Sequence, residues 1–416
     1  MREMKNSRVS YIGVIPSLWS LDKIKYHLER YETRNPGNKE ILSVYREYGV
    51  IPKDSRDDNH NVTSEDTSNY KYVKPGYFVI NKMKAWQGSM GVSEFEGVVS
   101  PAYFIYRFKD SVFYHKYFHY LLRGCYKDEF RRVSGGIREG QWDLPALSFE
   151  NTSVLLPTKD EQIKIVSFLD NKCIEIDGLT EDIKSQIDTL EAYKRSIITE
   201  AVTKGLDKNA EMKDSGMPWI GTVPNHWMIE KVKYHLVRKE TKNQGDKQVL
   251  SVYREYGVIP KDSRDDNHNV TSEDTSKYKY VRQGNLVINK MKAWQGSMGV
   301  SDYEGIVSPA YFIYHFSDNS LVPKYLHYLF RSCYKDEFRR ISGGIREGQW
   351  DLDPDAFANT MLLIPPRKEQ EEIIRKIDEK TSEIEVIISQ KQEQLEVLAD
   401  YKKSLIYEYV TGKKEV

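Results

Sequence analysis

Cysteine is scarce in this chain. Its 416 residues hold only Cys125, Cys173 and Cys333, widely scattered and never in a C-x-x-C pair. Neither a disulfide framework nor a thiolate zinc centre organises such a sequence, and a reducing cytoplasm is its natural compartment. No apolar run approaches the ~18 residues of a membrane span, and the polar stretch Met1 to Ser10 lacks the apolar core of a signal peptide. Excess charge of one sign is missing too. Lys+Arg and Asp+Glu are both 62, which excludes a globally basic DNA coat or an acidic tail protein but permits a local basic face.

Catalytic signatures are equally sparse. There is no G-x-x-x-x-G-K-[ST] for a nucleotide motor, and no G-x-S-x-G, H-E-x-x-H or zinc-ligand spacing. The glycine-rich nucleotide fingerprint and the Asn-Pro-Pro-aromatic motif of adenine methyltransferases are absent as well. A chain of this size without one assembled signature points to binding or scaffolding. What is present suits a globular protein of two or three domains: 39% hydrophobic residues, 30% charged and 29 tyrosines.

The most informative feature is a duplication at an offset of 208. Leu42 to Ser68 recurs without change at Leu250 to Ser276, Val79 to Ser93 at Val287 to Ser301, and Ser134 to Leu144 at Ser342 to Leu352. Over Leu42 to Leu144, 84 of 103 positions are identical, so each copy is domain-sized rather than a solenoid repeat. A short lead-in precedes each block, at Tyr11 to Leu28 and Trp219 to Leu236. A long charged segment follows, at Lys159 to Val202 and Arg367 to Val410.

Within the block, Tyr77 to Ile80 and Val98 to Phe108 read as strands bounded by turn residues, and His115 to Arg132 reads as one amphipathic helix. The fold class is α/β (α+β). The charged segments are long helices with a coiled-coil seam. Its residues are Ile176, Leu179, Ile183, Ile187, Leu190, Tyr193 and Ile197 in the first, and Ile377, Ile384, Ile388, Leu395, Leu398 and Leu405 in the second, where Lys391 interrupts. At 1.5 Å per residue, 44 residues reach roughly 66 Å, and a stripe that long needs a partner. The other copy is the obvious one. Residues 1–158 and 211–366 carry net charges of +4 and +1, and residues 159–210 and 367–416 carry −3 and −2. That bias permits phosphate binding in the blocks without demonstrating it.

Three repeated segments carry candidate chemistry. Asp54, Asp57, Asp58 and His60, with Asp262, Asp265, Asp266 and His268, could hold a divalent cation. No ligand geometry is encoded there, and a solvated turn rich in Asp, Asn and Ser is the better reading. Glu139 and Glu347 have no evident carboxylate partner for glycosidase chemistry. The other two segments suit nucleic acid. Asn81 to Gly88 places Lys82, Lys84, Trp86 and Gln87 in a glycine-ended loop, where Lys can meet phosphate or guanine, Gln can pair with adenine and Trp can stack. Arg131 to Trp142 combines arginines with a Gly-Gly turn whose backbone can approach phosphate. With Arg46, the DNA-binding candidates are Lys82, Lys84, Trp86, Gln87, Arg138 and Gln141. Their copies are Arg254, Lys290, Lys292, Trp294, Gln295, Arg346 and Gln349. Trp86 and Trp142 serve equally well as core anchors, since tryptophan is usually largely buried.

The order of these parts resembles the specificity (S) subunit of type I restriction–modification systems. The residues that carry the resemblance are Ile12-Gly13-Val14-Ile15-Pro16 with Trp19, and Ile220-Gly221-Thr222-Val223-Pro224 with Trp227. At the block ends they are Leu155-Leu156-Pro157 with Glu161-Gln162, and Leu363-Ile364-Pro365 with Glu369-Gln370. Each motif is soft, but their duplicated order is specific and spans essentially the whole chain.

The resemblance implies two target recognition domains, residues 1–158 and 206–366, each followed by a spacer helix, residues 159–205 and 367–416. The helices would pair as an antiparallel coiled coil, bringing residue 416 near residue 1. Each domain would read one half of a split sequence on double-stranded DNA. Two methyltransferase (modification) subunits would dock on the chain, bring S-adenosylmethionine and methylate adenine, and two restriction–translocase subunits can join them. The chain itself would carry no cofactor or metal and perform no catalysis. Identical loops in both copies imply identical half-sites, so the expected target is an inverted repeat with half-site centres ~10 bp apart. A methyltransferase fused to its own recognition domains is argued against by the absent cofactor motifs. A duplicated protein–protein scaffold remains the alternative.

Overall fold

A computed structural model describes residues 2–37, 39–46, 48–55, 66–136, 142–242, 247–254, 256–263, 274–344 and 350–416. The chain divides into two compact units, Met1–Ile183 with Gln392–Val416, and Lys184–Lys391. Among the described residues no helix is long and apolar enough to cross a membrane.

In the first unit, Ser20–Lys23 pairs antiparallel with Ser153–Leu156, so the block is closed at its two ends. Its centre is a four-stranded antiparallel sheet in the order Leu28–Arg30, Tyr103–Phe108, Phe78–Asn81, Met90–Val92. Alternation along Phe78–Asn81 serves two cores. Phe78 and Ile80 pack with the helices, whereas Val79 packs with Leu42, Val44, Val50, Val73 and Ile105. Both faces are covered, which is why this strand is apolar throughout. The second unit repeats the arrangement with Leu236–Arg238, Tyr311–Phe316, Leu286–Asn289 and Met298–Val300.

Two sequence expectations need correction here. The single helix expected over His115 to Arg132 is two, α1 (His115–Cys125) and α2 (Lys127–Val133), broken at Tyr126 with φ −106° and ψ 6°. Both pieces bury apolar residues, and periodicity did not register the corner between them. The strand expected over Val98 to Phe108 is also two, Gly97–Val99 and Tyr103–Phe108, which belong to different sheets on either side of the turn at Pro101.

The long segments form α3 (Lys159–Lys204) and, after α4 (Pro323–Cys333) and α5 (Lys335–Arg340) of the second block, α6 (Arg367–Val410). Each block packs on the start of the helix that follows it and on the end of the other. In the first unit Ile165, Val166 and Leu169 of α3 join the core with Leu405 and Val410 of α6. In the second, Ile373, Ile374 and Ile377 of α6 join it with Ala201 and Val202 of α3.

The helices pair antiparallel within each unit. The Phe168 and Tyr409 rings lie 4.4 Å apart, and Lys402 reaches Asp177 at 2.6 Å. Lys391 donates to Gln186 at 2.5 Å, and Lys194 meets Glu385 at 3.1 Å. Rising numbers on α3 thus face falling numbers on α6.

Most of the expected seam is buried or half-buried: Ile176, Ile183, Ile187, Leu190 and Ile197 on α3, and Ile377, Ile384, Ile388, Leu395, Leu398 and Leu405 on α6. Leu179 and Tyr193 are not part of it, being 53% and 57% exposed. Thr180 and Lys194, one residue further along, take those places and are half-buried. The 3.5-residue seam takes the four-residue step at these points, and apolarity was a misleading guide to its phase.

Candidate nucleic-acid interface

The loop after strand Phe78–Asn81 closes in a 3₁₀ turn at Ala85–Gln87, which ends on Gly88 at φ +88°. That left-handed conformation suits glycine, and a Cβ there would lie 2.6 Å from Cε of Lys127 on α2. Loop and helix are therefore held in close contact. The indoles of Trp86 and Trp142 meet at 5.5 Å, tilted by 57°, and the Arg131 guanidinium lies 5.9 Å and 5.6 Å from the two rings. Trp86 donates from Nε1 to the Met83 carbonyl at 3.2 Å.

The polar residues are partnered in a defined way. Lys82 Nζ meets Asp143 at 2.6 Å, and the Leu144 amide donates to the Lys82 carbonyl at 3.0 Å. Gly135 and Asp143 exchange backbone hydrogen bonds of 3.1 and 2.9 Å, which anchors the Arg131-to-Trp142 segment beside the loop. Arg46 Nη2 donates to Gln87 Oε1 at 2.7 Å. Lys84 is exposed.

Behind this face stands a half-buried histidine. His119 of α1 lies against Gly49 and Gly91, and Arg123 Nη1 approaches its Nε2 at 2.7 Å. Burial, with Arg123 and Lys116 nearby, pushes its pKa down to about 3. The ring is therefore neutral, and Nε2 accepts from Arg123. Arg123 also donates from Nη2 to the Arg46 carbonyl. A chain of contacts thus runs from the half-buried imidazole to the amide of Gln87.

Most of these contacts recur in the second unit. Lys290 meets Asp351 at 2.7 Å, Arg254 donates to Gln295 at 2.9 Å, and Trp294 meets Trp350 at 5.5 Å and 57°. The Arg339 guanidinium lies 5.6 Å from Trp350. Arg331 links His327, 2.9 Å away, to the Arg254 carbonyl, and burial lowers the His327 pKa to about 3. Lys292 is exposed.

Arg46, Lys82, Lys84, Trp86 and Gln87 thus come together in one unit, and Arg254, Lys290, Lys292, Trp294 and Gln295 in the other. Arg138, Gln141, Arg346 and Gln349 lie outside the described residues, as do Asp57, Asp58, His60, Asp265, Asp266, His268, Glu139 and Glu347. Among the described residues no three His, Cys, Asp or Glu side chains group as metal ligands. Sequence reasoning missed His119, Arg123 and Asp143, with their copies. The signal for the first two was an i, i+4 His–Arg pair kept in both copies although Phe118, Leu122 and Gly124 around it differ.

No protein-family model and no curated protein matches this chain. Solved structures do. The HsdS subunit from Thermoanaerobacter tengcongensis is 13% identical, with a TM-score of 0.50 over 96% of this chain and 98% of that one. A chain of a type I R-M system, solved in a study of complex assembly and conformational transition, is 11% identical. Its TM-score is 0.68, over 96% of this chain and 99% of that one. The chain has the HsdS fold. At such low identity the two structures share its path from the first lead-in to the end of α6, and the loops described above are this chain's own.

Proposed function

We propose that this chain is the DNA-specificity subunit of a type I restriction–modification system. Each unit reads one half of a bipartite duplex sequence, and methyltransferase subunits dock on the chain. The observation that carries this reading is the duplicated HsdS fold bearing the same cation–indole–amide surface in each unit. Lysine and arginine can neutralise phosphate, tryptophan can stack, and the amide and guanidinium can meet base edges. The chain supplies the address and performs no chemistry, and S-adenosylmethionine is held by the modification subunits, which transfer its methyl group to adenine. Restriction–translocase subunits join the same assembly.

Because the loops agree in sequence and geometry, both units meet the same half-site. An inverted rather than a direct repeat is the order expected of the two halves, as in palindromic operators. Co-expression with the modification subunit, followed by single-molecule sequencing of methylated adenine, tests this. The expected motif is two short mirrored half-sites around an unread spacer. Altering Lys84 in one block only is expected to relax one half and leave the other strict where it meets guanine; weaker binding with both halves strict would assign it to phosphate. Two unrelated half-sites would assign specificity to the 19 positions that differ between blocks. An assembled complex without DNA affinity would leave a protein–protein scaffold, and methyl transfer by the chain alone would refute its non-catalytic role.

A further inference from the structure

The paired state of Gln87 determines what it can read. A free glutamine recognises adenine by using both ends of its amide, accepting from N6 and donating to N7. Here Arg46 donates to Oε1 at 2.7 Å, and Arg254 does the same to Gln295 at 2.9 Å. A guanidinium has only donors, so the amide atom facing it must be the oxygen, and the amide orientation follows from chemistry alone. The outward edge of the pair is then rich in donors, the Gln87 NH₂ group and the N–H groups of Arg46 not given to Gln87, while Oε1 has one of its two lone pairs engaged. Arg46 is itself held by Arg123 at its carbonyl, with His119 behind.

A donor-rich edge fits one base best. In the major groove guanine presents two adjacent acceptors, N7 and O6, whereas adenine places a donor beside its N7. We propose that Arg46 with Gln87, and Arg254 with Gln295, are guanine-reading pairs, one for each half of the target. The inference rests on the DNA-specificity reading above. It replaces the expectation that Gln87 pairs with adenine.

The test uses the full complex with its modification subunit and reads the methylated motif by sequencing. The wild-type motif should carry a G·C pair at mirrored positions of its halves. Gln87→Ala should relax that pair, and no other, in one half only, with discrimination falling roughly ten- to hundred-fold, the range of one good base contact. Gln87→Glu places an acceptor toward guanine O6 and should turn preference at that position into rejection of guanine. The half read by the unaltered unit stays strict and reports that the complex has assembled. Relaxation at an A·T pair, or an unchanged motif in Gln87→Ala, would overturn the guanine assignment while leaving DNA specificity intact. A wild-type complex that neither binds nor methylates DNA would remove the reading beneath it, and the assignment with it.

Discussion

The repeated blocks and the long helices differ between copies to very different extents: the blocks agree at 84 of 103 positions and the helices at 15 of 44. The location of the differences matters more than their number. Within the blocks the loop Asn81–Gly88 is unchanged, while substitutions fall on other exposed positions, among them Asn69, Lys74, Pro75 and Glu94, and also reach the buried core. Phe113, Phe118 and Leu122 are fully buried, and their counterparts Leu321, Leu326 and Phe330 are buried too. Along α1 and α4 a Phe–Leu pair has become Leu–Phe at i and i+4, moving one ring by a single helical turn while conserving volume. In the helices most surface positions have changed, yet the buried contacts Ile165/Ile373, Ile176/Ile384 and Val202/Val410 are kept. A core needs volume and a seam needs phase, so both tolerate exchange.

The two units should therefore fail alike where they are alike. Trp19 and Trp227 are both almost fully buried, and their Nε1 atoms donate to Glu161 at 2.8 Å and Glu369 at 3.0 Å. Each anchors its lead-in against the start of a long helix, and Gly412 lies against Trp19 as Gly205 does against Trp227. Trp19→Ala or Trp227→Ala should cost about 3–5 kcal/mol, the usual range for a buried tryptophan. Hydrogen exchange should show the loss of protection confined to the altered unit. Spread of the loss across both units would mean that they do not fold independently.

The histidines give the next largest effect. His119 and His327 have folded pKa values of about 3, below the ordinary 6.5. Above pH 6.5 both states are neutral and folding gains its full contribution. As pH falls from 6.5 toward 3 only the unfolded chain takes up protons, so stability is lost across that window. At pH 5 this amounts to about 2 kcal/mol per histidine. Denaturant unfolding at pH 7 and pH 5 should show it equally in both units, and His119→Gln should flatten the dependence in the first unit alone.

The exchanged core residues probe where the units differ. Phe118→Leu by itself leaves space beside Phe78 and Phe113, whose rings lie 5.1 and 5.0 Å from it, and should cost roughly 1–2 kcal/mol. Leu122→Phe by itself overpacks and should cost roughly 1–3 kcal/mol. Together they copy the second unit, and the double variant should recover most of both losses, with a coupling of roughly 1 kcal/mol or more. Simple additivity in urea unfolding would show that the two positions do not share space.

Much of this was legible because the sequence repeats itself. The duplication, the two long helices and the lead-in motifs stand in the sequence, and the structure supplies their reason. Trp19 bonds Glu161, and the buried Gln162 amide accepts from the Tyr114 N–H and donates to the Val112 and Pro157 carbonyls. Gln370 repeats this with Val322, Ser320 and Pro365. What stayed hidden depends on three-dimensional partners. The corner at Tyr126 lies between two amphipathic stretches that read as one. Asp143 reaches Lys82 across 61 positions, and Arg46 reaches Gln87 across 41. No spacing rule links such residues, so the sequence could name Gln87 as a candidate but not show that its oxygen is already taken.

The smallest effect tests the helices at a seam place where their characters oppose. Lys391 on α6 corresponds to Ile183 on α3, and both are half-buried. A polar residue in a coiled-coil seam lowers stability while fixing register. Lys391 keeps its charge solvated by running its stem along the seam and donating to Gln186. Lys391→Ile gives α6 the residue that α3 already has. It should raise stability of the second unit by up to ~1 kcal/mol, the gain from added apolar burial less the lost hydrogen bond. Thermal unfolding followed by hydrogen exchange near Gln186 would measure it. A loss of stability would mean that the lysine specifies the pairing of the helices. In that case the divergence of α6 from α3 at this position is a register device rather than drift.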